Sequence, residues 1–142
     1  ITDKRMTRFM ISLEDGVDLV MHAFSDMVGG ELYVKKIPSM KVVDVARILA
    51  PDCTHELIGI RPGEKLHEQM IGLEDAHYTY EYDEHYKILP SIYEWWDDPL
   101  RIKDGKKVKE GFIYSSDNNP AWMKDADLEL WIQNNQDKIG SI

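Results

Sequence analysis

Gly59-Ile60-Arg61-Pro62-Gly63-Glu64-Lys65-Leu66 is the stretch on which the fold reading turns. An apolar run over 55–61 predicts a strand, Pro62-Gly63 breaks it, and a short helix over 64–71 follows with Leu66 and Met70 inward. That order sets Arg61 at the mouth of a sheet, just ahead of a helix start. A guanidinium there presents a planar fork that can bind a phosphate bidentately. Free N–H groups at the helix start favour an anion too. The competing reading is an Arg61–Glu64 ion pair that braces the turn, and spacing alone leaves both open.

Upstream, Ser12-Leu13-Glu14-Asp15 reads as a helix start, a Ser N-cap followed by acids in the first turn. Leu13, Val17, Val20, Met21, Phe24 and Met27 continue it as an apolar stripe, and Gly29-Gly30 ends it. Residues 31–34 predict a short strand. Ser39 reads as a second N-cap, with Val42, Val45, Ala46 and Leu49 at helical spacing and Pro51 closing the helix. Before all of these lie Arg5-Met6-Thr7-Arg8. One arginine there could reach the anion bound by Arg61 while Met6 lines an apolar wall; the alternative is two solvated arginines around a core methionine.

Downstream, Tyr78, Tyr80 and Tyr82 alternate with Thr79 and Glu81, a period of two that predicts a strand. A turn over 83–85 leads into a second strand over 86–89. The tyrosine ladder could stack a ligand ring, but cross-strand packing accounts for it. Order falls away over 91–109, where Trp95-Trp96 either covers the core or meets a partner. Ser115-Ser116-Asp117-Asn118-Asn119 reads as a polar turn that caps local backbone groups. A tail helix is predicted over 125–134. The element order gives an α+β fold, a small lobe rather than a complete doubly wound sheet.

Composition narrows the function. The chain has 142 residues, 43% hydrophobic and 30% charged, with a net charge of −9. One domain's worth of globular chain fits these values. Such acidity argues against a nucleic-acid partner, and no apolar run is long enough to span a bilayer, so a membrane is not expected either. The single Cys53 fits a reducing cytoplasm. The opening Ile1-Thr2-Asp3-Lys4-Arg5 suggests a piece of a longer protein.

Catalytic apparatus is missing from the sequence. His55-Glu56 and His67-Glu68 lack the second histidine four positions on that a helical zinc pair needs, since Gly59 and Ile71 stand there. His67 reads as a surface histidine. No Gly-x-Gly-x-x-Gly cradle, no Tyr with Lys four residues on, and no Gly-x-Ser-x-Gly elbow is present. No metal ligand set, cofactor site or catalytic residue is therefore assigned within the chain.

Thr2-Asp3-Lys4-Arg5-Met6-Thr7-Arg8-Phe9, Gly29-Gly30-Glu31, Lys36-Ile37-Pro38-Ser39-Met40-Lys41, the run Ile58 through Glu68, and Tyr114 through Asn119 with Trp122 occur together in this order. In this they resemble the C-terminal portion of inverting UDP-N-acetylglucosamine 4,6-dehydratases, extended short-chain dehydrogenase/reductases of pseudaminic acid, flagellin-glycan and other bacterial surface-polysaccharide pathways. The resemblance implies a nucleotide-sugar lobe over 1–90 and an extension over 91–142 packed on it, with the carry-over weakest over 93–112. It places NADP and the catalytic groups in a Rossmann half that this chain lacks. It implies substrate contacts from Thr2, Met6, Arg8, Arg61, Pro62, Gly63 and Glu64, with Arg8 and Arg61 on the diphosphate. It also implies UDP-N-acetylglucosamine as substrate, the chain's own N-terminal half as partner, and a homo-oligomer when intact. The implied reaction oxidises the sugar at C4, removes water from C5 and C6, returns hydride to C6 and inverts C5. A non-catalytic assembly module, or the same lobe of a UDP-N-acetylglucosamine epimerase, are the competing readings.

Overall fold

Ser12 acts as the cap its position predicts: its Oγ accepts the Asp15 N–H at 3.1 Å and donates to the Asp15 carboxylate at 2.6 Å. It starts α1 (Leu13–Asp26). In the computed structural model, which describes residues 1–92 and 94–139 (side chains of 136–139 excepted), three further helices follow: α2 (Val42–Leu49), α3 (Pro99–Ile102) and α4 (Asp125–Ile139). Tyr93 and 140–142, part of the 91–142 extension, lie outside the described residues. The strands are β1 (Thr7–Phe9), β2 (Leu32–Lys35), β3 (Ser39–Lys41), β4 (Gln69–Ile71), β5 (Thr79–Glu81), β6 (His85–Ile88), β7 (Lys106–Lys107) and β8 (Tyr114–Ser115).

These form three small antiparallel sheets: β2-β6-β5-β7, and the pairs β1-β3 and β4-β8. The architecture is α+β, as the sequence predicts. Ile71, Tyr86, Ile88 and Tyr114 make the core, with Phe9, Val34 and Phe112 against it. The buried Tyr114 hydroxyl also works as a clasp, accepting the Ile37 N–H at 2.9 Å and donating to the Ile37 carbonyl at 3.0 Å. Asn119, only 5% exposed, reaches Ile37 O, Ser39 Oγ and Ala121 O through its Nδ2 at 2.8–3.0 Å.

Helix α1 meets the four-stranded sheet with its polar side. The Asp26 carboxylate bonds Lys87, Lys103 and the Tyr33 hydroxyl. Lys87, 1% exposed, also donates to Arg101 O at 3.0 Å and lies over the Tyr33 and Tyr82 rings. Burial works against the Asp26 charge, but the hydrogen bonds from Lys103, Lys87 and Tyr33 hold the carboxyl far below its usual range. The apolar stripe of α1 is turned outward, with Leu13 75% and Phe24 70% exposed.

Several expectations need correction. Residues 55–61 form no strand; they run exposed, and residues 55–60 exchange backbone bonds with Ile1, at 2.8 Å (Ile1 N to Glu56 O) and 2.9 Å (Ile58 N to Ile1 O). One residue alongside cannot build a ladder. Residues 64–71 are not helical either: 64–68 run irregularly, with a bend at 66–67, into β4 over 69–71, with Ile71 buried and Met70 39% exposed. Ser39 lies fully buried in β3 and caps nothing; Lys41 precedes α2 without a side-chain cap. Helix α1 ends at Asp26 with Met27 as its cap, before the glycines. Gly30, at φ 85°, turns the chain into β2 where a Cβ would stand 2.9 Å from Pro90 Cγ. The region over 91–109 holds α3 and β7, and the tail helix runs to Ile139.

Two outcomes follow. Asn119→Ala removes the bonds that Nδ2 makes to Ile37 O, Ser39 Oγ and Ala121 O, although Ile37 O keeps the Tyr114 hydroxyl and Ala121 O keeps the Ser39 N–H, and is expected to destabilise the chain by about 1–2 kcal/mol, read by urea denaturation; an unchanged midpoint would show that Asn119 does not tie these segments together. His85, 8% exposed, has its imidazole pKa pushed down to about 4 from 6.5 by burial and by the neighbouring His22 and Lys87. The unfolded chain then takes up a proton near pH 6.5 that the folded chain refuses until about 4. Its stabilising contribution is thus present above pH 6.5 and lost as pH falls toward 4, amounting to about 3 kcal/mol at most. His85→Phe should flatten that slope; an identical slope would show that His85 is not its source.

Candidate functional site

Residues 61–68 carry no regular structure, so side chains from elsewhere must fix their path. The turn itself closes at Gly63, whose φ of 81° lies in the left-handed region that disfavours a side chain. Glu64 N–H donates to Arg61 O at 3.0 Å, and the Glu64 carboxylate accepts the Arg61 N–H at 3.1 Å. Glu64 therefore does brace the turn, but through the Arg61 backbone rather than through an ion pair. The Arg61 side chain is exposed, and its guanidinium makes no hydrogen bond or ion pair among the described residues.

Thr2 reaches the same turn, its hydroxyl 3.1 Å from Glu64 Oε1 and 3.5 Å from the sulfur of Met6. Met6 is 3% exposed, so it forms the floor and not an open wall. The bond from the Arg61 N–H lowers the Glu64 pKa most, desolvation opposes it, and the Thr2 hydroxyl adds a smaller lowering. Thr2, Met6, Arg61, Pro62, Gly63 and Glu64 thus come together, although the chain separates the two groups by more than fifty positions.

Arg8 stands behind the loop. Its Nη1 donates to Thr7 O at 2.7 Å and Leu66 O at 3.2 Å, its Nη2 to Lys65 O at 2.9 Å, and its Nε lies 3.4 Å from Glu68. Arg5 folds back onto Asp3 at 2.8–3.0 Å, and its hydrogen bonds bring the Asp3 carboxyl down to about 2. Sequence reasoning missed the joint beneath. The buried Thr7 hydroxyl lies 2.7 Å from His67 Nδ1 and 2.7 Å from Ser116 Oγ, and Ser116 exchanges two bonds with the Glu68 backbone at 2.8 and 2.9 Å. His67 is therefore half-buried and bonded rather than a surface residue. The Ser115–Asn119 turn pointed to local capping, and it does cap itself, but nothing in the sequence ties Ser116 to a threonine 109 positions away.

The tyrosine ladder packs across the sheet. Tyr80 and Tyr82 donate to Trp96 O at 3.0 Å and Ile102 O at 2.7 Å, which fixes the segment beyond β6. Trp95 lies beneath the Arg101 guanidinium at 4.2 Å, and Trp96 meets Tyr78 edge-on at 6.0 Å. A cavity of about 410 Å³ opens between α1 and the β5–β6 hairpin, lined by His22, Tyr82 and His85. Among the described residues no cluster of His, Cys, Asp and Glu is placed to hold a metal ion, and no helix is long and apolar enough to cross a membrane.

The family model for polysaccharide biosynthesis proteins matches residues 1–90. Over 133 residues the chain is 54% identical to the UDP-N-acetylglucosamine 4,6-dehydratase (inverting) of Campylobacter jejuni subsp. jejuni serotype O:2, covering 90% of this chain and 40% of that protein. The protein of the same name from serotype O:23/36 is 53% identical over 134 residues, with the same coverage. Among solved structures, one titled "X-ray structure of Pen from Bacillus thuringiensis" superposes with a TM-score of 0.74 at 28% identity, covering 96% of this chain and 39% of that one. The chain spans about two fifths of the length of the curated relatives it matches.

The turn chemistry can be checked by carbon-detected pH titration of the Glu64 carboxyl. It is expected to titrate below the ordinary glutamate range and to move upward in Thr2→Val, which keeps the shape and removes the donor. An unshifted titration in that variant would show that Thr2 does not reach the turn.

Proposed function

The chain belongs to the polysaccharide biosynthesis protein family, and on that footing we propose that it is the UDP-sugar-binding lobe of an NADP-dependent, C5-inverting UDP-N-acetylglucosamine 4,6-dehydratase. One observation carries the reading. A guanidinium with no hydrogen-bond or ion-pair partner among the described residues, that of Arg61, sits on a Pro-Gly turn held by Thr2 through Glu64. The 54% identity to an enzyme of that name supports the sugar and the reaction class. Residues 1–90 form the lobe and 91–142 an extension whose β7 and β8 complete its sheets. The pathway is the making of a surface glycan, such as pseudaminic acid for flagellin, in the bacterial cytoplasm.

Within that reading the loop residues take the following roles. Arg61 receives the diphosphate through two parallel N–H bonds. Thr2 and the 62–64 backbone line the approach, and Met6 supplies an apolar floor. The lobe holds the substrate in one orientation, and such positioning can remove several kcal/mol of the barrier.

NADP does not fit this chain. Among the described residues the paired strands are antiparallel, with one isolated parallel bridge between Ser39 and Trp122, and no strand-to-helix turn presents a glycine cradle for a pyrophosphate. No step through the nicotinamide is derived from it. In this proposal the cofactor and the catalytic groups belong to an N-terminal Rossmann half. The outward stripe of α1, Leu13, Val17, Val20, Met21 and Phe24, suits such a partner, because apolar patches of this kind mark association surfaces. The exposed Leu57, Ile58 and Ile60 add to the apolar surface such a half, or a second copy in a homo-oligomer, would cover.

Calorimetric titration of the chain with UDP-N-acetylglucosamine is expected to show saturable binding that Arg61→Ala weakens by roughly tenfold or more. A folded chain that takes up no ligand, or an Arg61→Ala chain that binds as well as its parent, would overturn the reading of this loop.

A further inference from the structure

We propose that Ser116 is a positioning residue for the nucleotide-sugar loop: a one-way chain of hydrogen bonds, from the Glu68 N–H through the Ser116 and Thr7 hydroxyls to His67 Nδ1, fixes the foot of the loop that presents Arg61. The inference rests on the UDP-sugar reading of that loop. It brings into the site a residue of the 91–142 extension, beyond the 1–90 that the family model matches.

The direction of the chain follows from counting protons. Each hydroxyl has one to give. The Glu68 N–H donates to Ser116 Oγ at 2.9 Å, and the Ser116 hydroxyl has only Thr7 Oγ1, at 2.7 Å, as an acceptor among the described residues. Ser116 is fully buried, out of reach of bulk water. Its hydroxyl therefore donates to Thr7, and Thr7 donates onward to His67 Nδ1 at 2.7 Å. Nδ1 is then an acceptor, and the proton of the neutral imidazole sits on Nε2. Run the other way, with Nδ1–H donating to Thr7 and Thr7 to Ser116, the chain leaves the Ser116 proton buried without an acceptor, a desolvation cost with no bond in return. The burial of one hydroxyl thus selects both the direction of the chain and the histidine tautomer.

Three successive residues at the foot of the loop are gripped in this way. The Thr7 N–H donates to Leu66 O at 3.1 Å, and the Thr7 hydroxyl meets the His67 ring. Ser116 holds Glu68 twice, its N–H donating to Glu68 O at 2.8 Å and its Oγ accepting the Glu68 N–H. Residues 61–68 have no ladder or helical bonds of their own to fix this path. Toward the tip, Glu64 closes the turn on the Arg61 backbone, and only Lys65 separates that turn from the gripped foot. A shift of the foot therefore reaches Arg61 through a short run of chain. Ser116, fully buried, touches no ligand itself and acts through the loop.

The test uses the 142-residue chain as wild type, Ser116→Ala, Thr7→Val and Thr7→Ser. Long-range nitrogen–proton NMR of the wild type at about pH 8, where an ordinary imidazole is neutral, is expected to show the His67 proton on Nε2; a proton on Nδ1 would overturn the chain. Ser116→Ala is expected to speed amide exchange at Arg61, Glu64 and Glu68 by roughly tenfold, with α1 and the β5–β6 hairpin still protected, and to weaken UDP by about the same factor. Thr7→Val should show the same losses, and Thr7→Ser, which keeps the hydroxyl, should retain the tautomer, the protection and the affinity. Unchanged exchange or unchanged UDP affinity in Ser116→Ala, or a Thr7→Ser chain that behaves like Thr7→Val, would overturn the proposal. If Ser116→Ala unfolds the chain, the wild-type tautomer and the two Thr7 variants decide. If the wild type does not bind UDP, the nucleotide-sugar reading fails, while the tautomer and the exchange data still decide whether Ser116 fixes the foot of the loop.

Discussion

The rest of the structure hangs on a buried hydroxyl. Thr7 Oγ1, on a residue 3% exposed, bonds the hydroxyl of a fully buried Ser116 and the imidazole of His67, each at 2.7 Å. Unpaired, such groups would each cost about 1–3 kcal/mol, so the three have to meet. Their meeting joins β1, β8 and the end of the 61–68 loop. The β1–β3 pair brings in Ser39, and Asn119 ties Ser39 and Ile37 to the turn after β8. The loop that carries Arg61 is thus held by polar contacts beneath it, and its outer side, from Arg61 to Gly63, stays exposed.

A second constraint is the inversion of α1. An amphipathic helix ordinarily buries its apolar stripe. Here the polar side faces the lobe, and Asp26, Lys87, Tyr33 and Lys103 satisfy one another there. The apolar side faces out, a state that costs free energy in water and that a covering partner would relieve.

Much of this was legible in the sequence. The Ser12 cap, the β5–β6 hairpin with its tyrosines, the tail helix and the α+β class all come from local signals, which need no distant partner to act. The grouping of Thr2, Met6 and Arg61 to Glu64 was reached through a family resemblance, and in space these residues do converge. What local reading missed depends on distance. The run over 55–61 has the composition of a strand but lacks a neighbour along its length, and Ser39 has the identity of a cap but is claimed by Asn119 from 80 positions away. His67 looked solvated because its partner lies 60 positions upstream. Arg8 and Arg61 look alike as residues; only the carbonyls around Arg8 tell them apart.

The central claim is that a loop fixed from behind presents Arg61 to a nucleotide diphosphate. A crystal structure of the chain grown with UDP tests it most directly. The Arg61 guanidinium should lie edge-on against the diphosphate oxygens, with Thr2 and the 62–64 backbone around the ligand. Ligand density elsewhere on the lobe with Arg61 left in solvent would contradict it.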